Sequence, residues 1–160
     1  MATGFIDIEA FRDDNANYVI KELCIMDVCS MFEPLVYVFR PNMLWRNLTD
    51  KAKTVNGFLI RHRHGLQWHE GNSYFCTQCI GKDICDRFDI RNTMFYVKDQ
   101  IDGQKFTTLH LLFPELNMTT YSISTDSVVP DNIICPYREH GPYCAYRKCL
   151  KLCVDFVSCK

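Results

Sequence analysis

The segment Phe5-Ile6-Asp7-Ile8-Glu9-Ala10-Phe11 alternates with the two-residue period of a β-strand. Ile6 and Ile8 point to one face, and Asp7 and Glu9 share the other with Phe5 and Phe11. The two phenylalanines imply that the acidic face is partly covered. Cα atoms two apart on a strand are separated by roughly 6.5 Å. Carboxylates at that spacing can share divalent metals, and two metals about 3.5–4 Å apart can drive phosphodiester cleavage. The same spacing also occurs on strands whose polar face simply meets water.

The rest of the chain supplies a frame for this strand. Residues 18–27 and 35–40 also read as strands, with short turns that suit an antiparallel meander. A helical stretch follows from about Met43 to about Arg61, interrupted at Asn56-Gly57. A second helix is predicted over about 74–87, and Thr93–Lys98 reads as a buried central strand. Gln104 to Phe113 is predicted as a short helix stopped by Pro114. Residues 116–123 read as a strand, residues 124–134 as a polar loop and about Pro142 to Val157 as the last helix. This order predicts an α/β fold, with a three-strand antiparallel meander plus parallel strands in a mixed sheet flanked by helices. With 160 residues, 48% of them apolar and 23% charged, one domain over 1–160 is expected.

The formal net charge of −1 gives no global attraction to nucleic acid, so any such contact must be local. Arg61, His62, Arg63 and His64 form a basic run suited to phosphates. Trp68 and Tyr74 are candidates for stacking on bases. Each has a structural reading too, as a solvated helix end and as loop anchors. No apolar run follows a basic start, and no segment has the length to span a bilayer. An intracellular location without a membrane association is therefore expected, where ten cysteines point to metal binding or burial rather than disulfides. Cys24, Cys29, Cys149, Cys153 and Cys159 read as core packing. Cys135, His140 and Cys144 form a compact cluster before the last helix and can share one tetrahedral zinc, given a fourth ligand. A competing cluster is Cys76-x2-Cys79-x5-Cys85, although Cys79 falls on the predicted apolar face of its helix. No glycine-rich phosphate loop and no serine or cysteine triad is present.

Asp7-Ile8-Glu9, set in this strand order, resembles the first motif of the DEDDh 3′-5′ exonucleases, which have a ribonuclease-H-like fold. His64-Gly65-Leu66 resembles the His-Gly-Ile that often follows the first helix of that family. Tyr96-Val97-Lys98 with Phe106 resembles the second motif, where an Asp opens the next helix. Here Gly103 takes that position, with Asp102 one residue away and Asp99 nearby. Tyr143-Cys144-Ala145-Tyr146-Arg147-Lys148-Cys149 resembles the third motif, but Tyr143 replaces the general-base His and Lys148 the metal-binding Asp. A lysine there implies an ammonium paired with Asp7 or Glu9 in place of a metal.

The chain is also similar to the Maelstrom domain, a DEDDh-like domain that lacks the exonuclease acids and carries a Glu-Cys-His-Cys zinc set. The resemblance implies structural zinc on Cys135, His140 and Cys144. His64 is the expected fourth ligand, with Glu70 and His69 as alternatives. It implies a degenerate domain that binds RNA, another single-stranded nucleic acid or a protein partner. Arg61, Arg63, Trp68 and Lys148 are the candidate nucleic-acid contacts. The alternative is an active nuclease using Asp7, Glu9 and Asp99 or Asp102 with Mg²⁺ or Mn²⁺.

Overall fold

The computed structural model describes residues 1–30, 33–99, 103–121, 134–136 and 143–159. Strands β1 (Ala2–Arg12), β2 (Tyr18–Asp27) and β3 (Leu35–Arg40) form the antiparallel meander. Helix α1 (Asp50–Leu59) follows, then a two-residue strand β4 (Ser73–Tyr74) that no alternation in the sequence announces. Helix α2 (Thr77–Arg87), β5 (Thr93–Lys98), α3 (Gln104–Leu112), β6 (Met118–Tyr121) and α4 (Ala145–Ser158) complete the order. The sheet runs β4-β3-β2-β1-β5-β6, with β5 parallel to β1 and β6 parallel to β5. The fold is therefore α/β, with the expected mixed sheet of an antiparallel meander plus parallel strands, flanked by helices. Among the described residues, no helix is long and apolar enough to cross a membrane.

β1 lies inside the sheet and is covered on both faces. On one side Ile6 and Ile8 pack with Leu23, Ile25, Phe95 and Val97 against Ile80 and Ile84 of α2 and Leu109 of α3. On the other, Phe5 packs with Cys24 and Met26 against Ala145, Cys149, Leu152 and Cys153 of α4. Phe11 joins Leu48, Ala52 and Trp68 in a third cluster under α1. The acidic face of β1 is thus held between two apolar clusters.

Two local departures shape this region. Glu9 faces Glu22 and Ala10 faces Ile20, so Lys21 is the extra residue of a β-bulge. Its buried ammonium donates to the carbonyls of Phe39 at 3.0 Å, Trp68 at 3.1 Å and Glu70, fastening the loop after α1 to the sheet. The second departure is at Asn56, where the sequence suggests an interrupted helix. α1 instead runs through it, because the buried Asn56 amide exchanges two 2.8 Å hydrogen bonds with the Arg12 backbone. The side chain acts as a short extra strand at the edge of β1. α1 then widens into a π-helical turn over Ile60–His64 and stops at Gly65, whose φ of 69° is readily adopted only by glycine.

Candidate functional site: a carboxylate pair held by three cations

Asp7 and Glu9 are 1% and 2% exposed, and they face the start of α4. The Lys148 ammonium lies between them, 2.6 Å from Asp7 Oδ2 and in contact with Glu9 Oε1. Lys105, in the first turn of α3, reaches the other Asp7 oxygen at 2.5 Å. Arg63 arrives from the π-helical turn, and its Nε donates to Glu9 Oε2 at 2.8 Å. Tyr143 lies over the Arg63 guanidinium at 4.6 Å, and its N–H donates to the Arg63 carbonyl at 3.2 Å. Three cations therefore hold two carboxylates.

The charge states follow from this packing. Burial pushes the Asp7 carboxyl up, but Lys105 and Lys148 more than reverse that and leave its pKa below the ordinary 3.8. Burial likewise raises Glu9, and Lys148 and Arg63 bring it below 4.5. Burial lowers Lys148, yet Asp7 and Glu9 drive it well above the ordinary 10.5. The ammonium stays protonated, so it can neutralise the acids but cannot serve as a base.

Lys105 belongs to no motif in the sequence, where the resemblance places an acid at Gly103. A signal was present: a lysine in a first helical turn opposes the helix dipole unless an anion compensates it. Asp99 accepts the Phe106 N–H at 2.7 Å, supplying the cap that Gly103 has no side chain to provide. As arranged, the carboxylates do not fit a divalent metal pair, because Lys105 and Lys148 already hold Asp7 and Lys148 and Arg63 hold Glu9. Asp102 lies outside the described residues.

The zinc candidates are partly assembled. The buried Cys144 thiol is hydrogen-bonded with Cys135, which together with burial raises its pKa. Glu22 of β2, also buried, is close enough to raise it further, and the sequence reading did not single it out. His64 is fully buried, and its Nδ1 accepts the Leu66 N–H at 3.1 Å. That contact leaves the neutral ring's proton on Nε2, so metal binding through Nε2 requires the ring to change partners. His140 lies outside the described residues. Among the described residues, no three His, Cys, Asp or Glu side chains stand together as a metal-binding group.

The candidate nucleic-acid contacts separate. Lys148 and Arg63 belong to the ion cluster, and Arg61 is exposed on the π-helical turn. Trp68 is buried against Phe11, and its Nε1 donates to the Met43 carbonyl at 2.7 Å. It forms one wall of a pocket of about 780 Å³ lined also by Arg40, Arg46, Trp45, His69 and Tyr74, with no carboxylate in its lining. Cys24, Cys149 and Cys153 are core residues as expected, whereas Cys29 and Cys159 are exposed at element ends. Cys79 is exposed rather than on the apolar side of α2, which buries Ile80 and Ile84.

Comparison of the chain with family models, curated proteins and solved structures returned no match.

Proposed function

We propose that this chain is a catalytically degenerate, DEDDh-exonuclease-like domain, similar to the Maelstrom domain, that binds single-stranded RNA instead of cutting it. The observation that carries the reading is Lys148 lodged between Asp7 and Glu9, with Lys105 on the second Asp7 oxygen. Cleavage by a metal pair needs carboxylates free to bridge ions and an activated water. Ammonium groups supply the charge but activate no water. Asp99, one of the two candidates for a third acid, caps the start of α3.

The pocket beside Trp68 supports the binding half of the reading. Aromatic walls stack bases of any sequence, and Arg40 and Arg46 complement phosphate where no carboxylate opposes them. Arg61 would extend that contact. Structural zinc on Cys135, His140 and Cys144 belongs to the same reading, with His64 or Glu22 as fourth ligand. So does an intracellular setting.

The test uses labelled single-stranded RNA. Wild-type chain with Mn²⁺ is expected to leave it intact and to bind it at low salt. Tyr74→Ala is expected to weaken binding by about 1–3 kcal/mol per stacked base. Arg46→Ala is expected to reduce the salt slope by about one. Cleavage that disappears in Asp7→Ala would restore the active 3′-5′ exonuclease. No binding at low salt would turn the assignment to a protein partner. Metal analysis should find about one zinc per chain, and less than about half an equivalent sinks the zinc assignment.

A further inference from the structure

Cys76 and Cys79 stand apart from the site above and from the other thiols. Cys76 is the N-cap of α2, and its sulfur accepts the Cys79 N–H at 3.4 Å. The two Sγ atoms are 2.7 Å apart. Cys79 is exposed and Cys76 half-buried, so reagents can reach the pair. Among the described residues no further His, Cys, Asp or Glu completes a metal set around them.

We propose that Cys76 and Cys79 form a redox-active dithiol that closes to an intramolecular disulfide by exchange with a disulfide substrate. Cys76 is the attacking thiol. The thiol–thiol hydrogen bond shared with Cys79 and the Cys79 backbone N–H lower its pKa below the ordinary 9.0, and a helix N-terminus favours thiolate. Cys79 moves the other way, raised by its hydrogen bond to Cys76 and by the Cys76 and Asp83 charges, which suits a resolving thiol that stays protonated until needed. The buried thiols Cys24, Cys149 and Cys153 are all raised, chiefly by burial, and so are poor nucleophiles.

The exchange balances without another reactant. The Cys76 thiolate attacks one sulfur of a small disulfide such as oxidised glutathione, forming a mixed disulfide and releasing one thiolate. Cys79 then gives up its proton and attacks Cys76 Sγ, releasing the second thiolate. Two cysteines are oxidised by two electrons, the substrate disulfide becomes two thiols, and the protons end on those thiols.

Oxidised-to-reduced glutathione mixtures, acid quenching, alkylation and peptide mass spectrometry test this. Cys76 and Cys79 are expected to lose alkylation together, while exposed Cys85 on the same helix remains alkylated. Cys79→Ser is expected to accumulate glutathione on Cys76, because the resolving thiol is gone. Cys76→Ser keeps a good N-cap and is expected to leave Cys79 at least about tenfold slower. A pair that stays reduced under the most oxidising mixture overturns the proposal. So does Cys79→Ser that gains no adduct, or a Cys76 alkylation rate no faster than that of Cys85 at neutral pH. Stoichiometric zinc that protects both thiols in the native chain would make them a metal half-site instead.

Discussion

The two faces of β1 are built from adjacent residues by opposite rules. Ile6 and Ile8 pack in an apolar cluster beneath α2 and α3. Asp7 and Glu9, one position along, are equally buried but meet Lys105, Lys148 and Arg63. Apolar packing tolerates modest changes of shape, since its energy is spread over many weak contacts. A buried ion cluster does not. Removing one member exposes the full desolvation cost of those that remain.

Removing Lys148 should therefore have the largest effect. Lys148→Met leaves two buried carboxylates sharing one lysine and one arginine, at an expected cost of about 3–5 kcal/mol in denaturant unfolding. Neutralising the acids as well, in Asp7→Asn/Glu9→Gln/Lys148→Met, should recover much of that loss. If the triple variant is as unstable as Lys148→Met, the cost came from packing around the lysine stem and the two faces do not differ in kind.

Acidification separates the faces without mutation. The carboxyls of Asp7 and Glu9 lie lower in the folded chain than their ordinary 3.8 and 4.5. Their contribution is therefore present above about pH 4.5 and is lost as pH falls through the lowered folded values. Lys148 is raised above 10.5, so its contribution is complete below that pH and is lost only as pH rises further. Stability measured against pH should form a plateau bounded by these limbs. In Asp7→Asn/Glu9→Gln/Lys148→Met the acid limb should shrink. An unchanged limb would move its origin to other carboxyls.

The same contrast explains what could be read in the sequence. Ile6, Ile8, Leu23, Ile25 and Val97 announce their strands by period and composition, because burial among apolar neighbours is all those positions require. The bounds of β5 follow for that reason, and most others fall within a few residues. Asp7 and Glu9 are legible as a pair, and Lys148 as an ammonium able to pair with them. Lys105 and Arg63 were not legible as their partners, because a cation's anion can lie far along the chain, here 98 and 54 residues away. Asn56 suggests a helix break for a related reason: its partner is the Arg12 backbone, which leaves no trace in side-chain pattern. Glu22 depended on the bulge at Lys21, which sets the register that brings Glu22 opposite Glu9.

On the apolar face, Ile8→Val should cost about 1 kcal/mol, the ordinary value for one buried methylene. Its effect should be the same at pH 7 and at pH 4, since Ile8 packs in an apolar cluster with Leu23, Phe95 and Val97. A pH-dependent loss would mean that shifts in Ile8 reach Asp7 and Glu9 through the strand, and the faces would then be coupled.

The smallest effect is expected where the ion cluster meets solvent. The Arg63 side chain is 42% exposed, and Glu9 keeps Lys148 when the guanidinium is removed. Solvent screens the Arg63 contact, so Arg63→Gln should cost no more than about 1 kcal/mol. That cost should fall further in 1 M salt, where the Debye length is about 3 Å. The cost of Lys148→Met should change little, because salt penetrates poorly to a side chain that is only 14% exposed between α4 and β1. Unfolding of both variants at low and high salt measures the difference directly. If Arg63→Gln proves as costly and as salt-insensitive as Lys148→Met, the boundary between buried and solvated charge lies outside Arg63. The guanidinium is then a structural member of the cluster and is not available to a phosphate.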